Sequence, residues 1–120
     1  MRLLLDTNVF LRLITDDERL SSVHLAAIKD QRNDVYLSVA STWEATIKYG
    51  QGRLPLPAEP AVFFPAQRQL HRVASLPIEE NDLQSLVRLP AIHRDPFDRV
   101  ILAQAIQNDL TILTVDETVK

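Results

Sequence analysis

Short apolar runs rich in β-forming residues alternate along this chain with longer segments of helical periodicity. The strand-like runs lie at residues 3–5, 34–38, 71–77 and 111–115. Between them, apolar residues recur at helical spacing, as in Val9, Phe10, Leu13 and Ile14. Such alternation is typical of α/β proteins, in which helices connect parallel strands. We therefore predict an α/β fold with a central parallel sheet flanked by helices.

The segments between the strand-like runs are predicted to be mainly helical. Helices are expected at residues 9–14, 20–29, 41–49, 61–70, 78–89 and 95–107. Pro55, Pro57 and Pro60 interrupt this pattern, and because proline breaks helices the stretch around them is expected to be an extended connector. There is no internal repeat and no linker that divides the chain, so residues 1–120 are predicted to form a single domain.

The chain lacks residues that several common chemistries require. It has no cysteine, which removes thiol nucleophiles, thiolate zinc sites and disulfides. Its two glycines, Gly50 and Gly52, cannot form a Walker loop, a dinucleotide-binding turn or a nucleophile elbow. The three histidines are too far apart in sequence for an H-E-x-x-H zinc helix. Carboxylates, hydroxyls and amines remain as candidate functional groups.

Charge and hydropathy limit the binding partners and the cellular compartments that fit this sequence. The 13 basic and 16 acidic residues give a net charge of −3, which argues against bulk electrostatic coating of nucleic acid but leaves a metal-bridged site open. The apolar run in the opening MRLLLDTN is too short for a signal peptide, and no 18-residue apolar stretch occurs. We therefore predict a cytoplasmic protein with no membrane partner.

Acidic residues occur where the predicted strands end and where helices begin. Asp6 follows the first strand-like run and Asp116 follows the last, while Glu44 lies in the first turn of the helix after the second. In an open parallel sheet these positions meet at one edge, where ligands gather. Asp95 and Asp98 open a helix that precedes a strand, so a loop is needed to bring them to the same edge.

Each acid also has an explanation that involves no ligand. The D-P-F-D sequence at 95–98 has a capping acid, a proline at the first helical position and an acid at the third. The S-T-W-E sequence at 41–44 fits a capping box. Asp6 suits the cap of the first helix, and Asp116 suits a turn after a strand.

Taken together, the acids indicate a cation site. Several carboxylates at one sheet edge repel each other unless a cation neutralises them. Oxygen ligands without cysteine or histidine favour Mg²⁺ or Mn²⁺ over zinc. Such ions polarise a phosphodiester, activate water and stabilise the leaving oxygen. The residues therefore favour metal-assisted phosphodiester hydrolysis, with capping as the alternative for each acid.

Five short motifs occur in a particular order along the chain. They are LLLDTN at residues 3–8, WEATIK at 43–48, HRDPFDR at 93–99, AQA at 103–105 and TVD at 114–116. Together they resemble the PIN-domain family, and more narrowly the VapC-type toxin ribonucleases of bacterial toxin–antitoxin pairs. The resemblance covers nearly the whole chain, and HRDPFDRVILAQA is its most specific part.

The resemblance implies a three-layer sandwich of helices around a parallel sheet, with an acidic pocket that binds Mg²⁺ or Mn²⁺ and cuts single-stranded or loop RNA. It implies that Asp6, Glu44 and Asp98 are the core catalytic and metal-binding acids, with Asp116 as the fourth. Asp95 either supports a metal ligand or only caps its helix.

The resemblance also implies an assembly. Such toxins are usually homodimers neutralised by a small antitoxin whose tail covers the pocket, and the helices around residues 41–70 are where we expect that contact. Family members commonly continue past the Thr-x-Asp strand into a further helix and edge strand. We expect that C-terminal part to be short or missing in this sequence, which raises the alternative of an inactive copy.

Five further residues flank the acids and have two interpretations each. Thr7 and Asn8 either orient a water or the scissile phosphate, or simply start a helix. Lys48 either forms an i, i+4 ion pair with Glu44 or contacts RNA. Arg94 and Arg99 either hold phosphate or lie on the solvated surface.

Two alternative functions remain at this point. The first is a non-catalytic PIN-like interaction module, which would bind neither Mg²⁺ nor Mn²⁺. The second is an aspartyl-phosphate phosphotransferase, because a strand that ends in aspartate also presents a nucleophile in haloacid-dehalogenase-like enzymes. Those enzymes need D-x-D, whereas this chain has Asp6-Thr7-Asn8.

Overall fold

The sheet determines where the functional groups of this chain meet. The computed structural model describes residues 1–90 and 95–115, with four strands in one sheet. They are β1 (Arg2–Leu5), β2 (Asp34–Ser38), β3 (Ala74–Leu76) and β4 (Thr111–Leu113). The strand order is β3-β2-β1-β4, and every neighbouring pair is parallel. The predicted α/β class with a parallel sheet is confirmed.

Helices connect these strands. The described residues form α1 (Thr7–Ile14), α2 (Ser22–Lys29), α3 (Val39–Gly50), α4 (Pro60–His71), α5 (Asp82–Leu86) and α6 (Pro96–Asn108). Asp6 alone separates β1 from α1, and α3 follows β2 directly. Both helices therefore begin at the carboxyl edge of the sheet.

Apolar side chains of β1 alternate between the two faces of the sheet, as the pleat of a strand requires. Leu3 and Leu5 belong to one buried cluster with Phe10 of α1 and Phe64 of α4, whose rings meet edge to face with centroids 5.0 Å apart. Leu4 belongs to a second cluster, formed with α3 and α6. Helices thus cover both faces, which is the three-layer arrangement that the resemblance implies.

The start of α3 differs from the prediction. The helix begins at Val39, because the Ser38 hydroxyl accepts a hydrogen bond from the N–H of Ala40 at 3.0 Å and caps it. Ser41 therefore lies inside the helix, and the capping-box interpretation of residues 41–44 is wrong. The Ser41 hydroxyl shares a hydrogen bond with that of Thr7 instead.

The segment after β3 also differs. The helix predicted at 78–89 is reduced to α5 (Asp82–Leu86), while β3 and β4 each have three residues. Asp82 is buried and accepts hydrogen bonds from the N–H of Glu79 at 2.7 Å and the side-chain amide of Asn108 at 3.2 Å.

Across residues 1–90 and 95–115, the helices are too short or too polar to cross a membrane.

Candidate active site

A cavity of about 510 Å³ opens at the carboxyl edge of the sheet and collects most of the predicted site residues. Its polar lining consists of Asp6, Thr7, Asn8, Glu44, Lys48, Asp95, Asp98 and Thr114, and its apolar lining of Ile101, Leu102, Ile112 and Val115. The acids come from the junction of β1 with α1, from α3 and from the start of α6. The four predicted acids within the described ranges therefore line one cavity.

Asp6 is held from two sides. Its Oδ1 accepts a hydrogen bond from the N–H of Asn8 at 2.6 Å and so caps α1, as the capping interpretation predicted. Its Oδ2 accepts one from the Thr114 hydroxyl at 2.8 Å. These two hydrogen bonds fix the orientation of the carboxylate at the cavity wall.

Sequence reasoning did not identify Thr114 as a partner of Asp6. The signal lay in strand register: Leu5 of β1 pairs with Leu113 of β4, so the residues that follow these two strands are neighbours. The N–H of Asp6 also donates to the carbonyl of Leu113 at 3.0 Å. Register between strands more than 100 residues apart is not visible in a local pattern.

Glu44 is the most deeply buried acid of the cavity, with 6% of its surface exposed. Its Oε2 accepts a hydrogen bond from the Lys48 ammonium, with Nζ and Oε2 3.0 Å apart, which confirms the predicted i, i+4 pair. Its Oε1 is buried and has no hydrogen-bond partner among the described residues. A buried acceptor without a partner is costly, so this oxygen needs a donor or a cation.

A pair of buried hydroxyls joins the two elements that carry Asp6 and Glu44. Thr7 Oγ1 and Ser41 Oγ are 2.8 Å apart, and both residues are buried. Thr7 follows Asp6 in sequence, and Ser41 lies one turn before Glu44 on the same face of α3. This hydrogen bond joins the start of α1 to α3. The contribution of Ser41 was not predicted.

Asp95 caps α6. Its Oδ1 accepts hydrogen bonds from the N–H groups of Phe97 at 2.8 Å and Asp98 at 3.4 Å, and Pro96 fills the first helical position. Both Asp95 and Asp98 also line the cavity. The predicted capping role of Asp95 is thus confirmed. Because Asp95 also lines the cavity, this role is compatible with support of a metal ligand.

The chemistry of this lining fits a hard divalent cation. Four carboxylates face one cavity, and the buried Glu44 Oε1 is an oxygen that a cation would satisfy. Within residues 1–90 and 95–115, however, the structure brings no three acidic or histidine side chains close enough to hold an ion between them. Glu44 is paired with Lys48 instead, and Asp95 with its own helix.

The remaining residues of the sequence motifs either have separate contacts or lie outside the described residues. The Arg99 guanidinium donates to the carbonyls of Pro90 at 2.9 Å and Leu86 at 3.2 Å, which fastens α6 to the end of α5. Trp43 packs edge to face against Phe97 with ring centroids 4.9 Å apart. Asp116 and Arg94 lie outside the described residues.

Comparison with known proteins gives a family match across the chain. The family model described as "PIN domain" matches residues 3–120. Ribonuclease VapC16 of Mycobacterium tuberculosis (strain ATCC 25618 / H37Rv) is 45% identical over 40 residues. That match covers 33% of this chain and 28% of the relative, so it extends over less than a third of the length of that protein.

Two solved structures share the fold. VapBC2 from Rickettsia felis, bound to a DNA fragment from its promoter, has a TM-score of 0.66 at 18% identity, over 95% of this chain and 87% of that chain. A toxin–antitoxin complex from Klebsiella pneumoniae has a TM-score of 0.60 at 18% identity, over 93% of this chain and 84% of that chain. At this identity the similarity concerns the fold.

Proposed function

Because the chain belongs to the PIN domain family, we propose that it is a divalent-metal-dependent endoribonuclease and the toxin component of a type II toxin–antitoxin pair. The observation that carries this proposal is the cavity at the carboxyl edge of the sheet, which four acidic residues line and where one buried glutamate oxygen has no partner among the described residues. The local identity with Ribonuclease VapC16 supports ribonuclease activity. The whole of residues 1–120 is proposed to act as one domain.

We assign the metal site to Asp6, Glu44 and Asp98, with Asp116 as a fourth ligand and Asp95 in support. When bound there, Mg²⁺ or Mn²⁺ would polarise the phosphodiester and neutralise charge that develops on it. Asp6 suits this role because the Thr114 hydroxyl and the N–H of Asn8 hold its carboxylate in a fixed orientation at the cavity. Glu44 suits it because Oε1 is buried without a hydrogen-bond partner in residues 1–90 and 95–115.

Other groups of the cavity act on the RNA strand in this proposal. The N-terminal ends of α1, α3 and α6 lie at or near the carboxyl edge, and the partial positive charge of a helix start favours phosphate. The Asn8 side chain lies at the exposed rim, where it can hydrogen-bond a phosphate oxygen or a water. Ile101, Ile112 and Val115 form an apolar wall that reduces access of bulk water.

The proposed protein partners are a small antitoxin and a second copy of the chain. The two structural neighbours described above are toxin–antitoxin proteins, which supports the antitoxin. The helices α3 and α4 also expose the apolar side chains of Val39, Trp43, Ile47, Val62 and Leu70. Exposed apolar groups on adjacent helices are suited to a protein partner.

The test is cleavage of a panel of single-stranded and hairpin RNAs with Mg²⁺ or Mn²⁺, followed by sequencing of the new ends. We expect the wild type to cut, and Asp6→Asn and Asp98→Asn to abolish cutting without loss of fold by circular dichroism. Asp109→Asn is the matched control, because Asp109 is exposed outside the cavity in a left-handed position that asparagine also tolerates.

Intact RNA across all metals and substrates would refute the enzymatic proposal. A parallel Mn²⁺ titration then separates the alternatives. If the chain binds no Mn²⁺, the carboxylates act only as caps and ion-pair partners, and the fold serves as an interaction module.

A further inference from the structure

Lys48 holds the most buried acid of the cavity. Its ammonium nitrogen lies 3.0 Å from Glu44 Oε2, and the exposed fractions of the two side chains are 38% for the lysine and 8% for the glutamate. We propose that Lys48 is a built-in counter-cation, which occupies Glu44 in the metal-free protein and releases it when a divalent cation binds. This inference rests on the metal site of the proposed function.

The first step of the argument is that Glu44 needs a positive charge when the cavity holds no metal. Removing a carboxylate from water is costly, and the cost is offset only if the charge is paired. Lys48 provides that pairing at Oε2, while Oε1 stays without a described partner. One oxygen is thus occupied by the lysine, the other is buried, and Glu44 lines a cavity shared with Asp6 and Asp98.

The second step is that Lys48 can leave at little cost. Lysine carries a compact, strongly hydrated charge on a flexible stem, and the Lys48 side chain as a whole is more exposed than that of Glu44. Lys48 also lines a second cavity of about 520 Å³, whose other polar lining residues are Glu44, Gln51, Arg53 and Asp95. This neighbouring groove provides space into which the ammonium can turn.

The third step is the competition itself. A divalent cation and an ammonium cannot occupy the same carboxylate without repelling each other, and the repulsion is strong where water is partly excluded. Removal of the lysine charge should therefore strengthen cation binding. It should also destabilise the metal-free protein, because Glu44 is then buried without a partner.

The experiment measures Mn²⁺ affinity by electron paramagnetic resonance of the free ion, at fixed pH and ionic strength, and thermal unfolding with and without Mn²⁺. Lys48→Met keeps most of the stem and removes the charge, and Lys48→Gln also keeps an N–H donor for Glu44. We expect both variants to bind Mn²⁺ on the order of tenfold more tightly than the wild type. Both should melt at a lower temperature without metal, and saturating Mn²⁺ should close most of that gap.

Two controls isolate the pairing from net charge. Lys48→Arg keeps a cation at the same position and should bind Mn²⁺ more weakly than Lys48→Met and Lys48→Gln do. Arg53→Gln removes a cation that lines the neighbouring groove and whose described partner is Gln51. The Mn²⁺ affinity of this variant should stay within about twofold of the wild-type value.

Two results would overturn the inference. Equal or weaker Mn²⁺ binding by Lys48→Gln and Lys48→Met, beside measurable binding by the wild type, would mean that the lysine does not compete, while the metal site would stand. No Mn²⁺ binding by the wild type or any variant would overturn the metal site and this inference together. If Lys48→Met does not fold, the comparison of Lys48→Gln with Lys48→Arg decides the question.

Discussion

The buried hydroxyl pair between α1 and α3 makes the most quantitative prediction. Thr7 is 7% exposed and Ser41 is fully buried, and their hydroxyl oxygens are 2.8 Å apart. Thr7→Val and Ser41→Ala each remove one hydroxyl and leave the other without its partner. The double variant Thr7→Val/Ser41→Ala removes both at once.

The expected magnitudes follow from this geometry. A buried polar group left unsatisfied costs about 1–3 kcal/mol, whereas replacing both partners by apolar groups of similar shape is nearly neutral. Each single variant should therefore lose about 1–3 kcal/mol of unfolding free energy. The double variant should lose less than the sum of the two, with a coupling energy on the order of 1 kcal/mol.

The assay is urea unfolding followed by circular dichroism, with the free energy taken from the transition of each variant. Thr46→Val is the matched control for Thr7→Val, because Thr46 is exposed on α3 and its hydroxyl donates only to the carbonyl of Thr42. It should change stability by less than about 0.5 kcal/mol. Strictly additive losses in the double variant would refute an energetic coupling between the two hydroxyls.

Two further predictions concern the helix cap of α6 and the surface ion pairs. Asp95→Ala should lower the free energy of unfolding by about 1 kcal/mol, because it removes the cap of α6. Asp95→Asn should lower it less, because asparagine keeps a cap oxygen. Equal losses of stability for the two variants, measured by thermal melting, would contradict the capping role. The side-chain hydrogen bond from Arg19 lowers the pKa of Asp17 from 3.8 to about 2, and that from Arg32 does the same for Asp30. Because these carboxyls bind protons less readily in the folded state, their stabilisation is present above about pH 4 and is lost as the pH falls through about 2. The stability difference between the wild type and Asp17→Asn/Asp30→Asn should shrink over that range, and a constant difference in acid denaturation would contradict the assignment.

Local chemistry predicted the elements whose signals lie close together in the chain. β2 occupies residues 34–38 as expected, and α6 begins after Asp95 because the acid and the proline that follows it specify a helix start. The periodicity after β3 was misleading. Leu83 is 43% and Val87 86% exposed, so the apolar spacing that predicted a helix over residues 78–89 does not mark a buried face.

Distant contacts determined what the sequence pattern did not predict. Ser38 and Ser41 are equally suitable caps for α3, and the structure uses Ser38 because Ser41 pairs with Thr7, 34 residues away. The positions of Asp6 and Glu44 after two strands of one sheet predicted that both lie at its carboxyl edge, and both line the cavity there. The bond from Thr114 to Asp6 depends on the register of β1 with β4, which no local motif encodes.

The single residue between β1 and α1 has a consequence for how mutants of this cavity are interpreted. Asp6 ends the strand, caps the helix and faces the cavity, so an alanine there removes a structural hydrogen bond together with a charge. Asp95 has the same double role at α6. An alanine scan would therefore mix folding defects with chemical ones at these two positions. Asparagine, which keeps a cap oxygen, separates the two effects and is the more informative substitution.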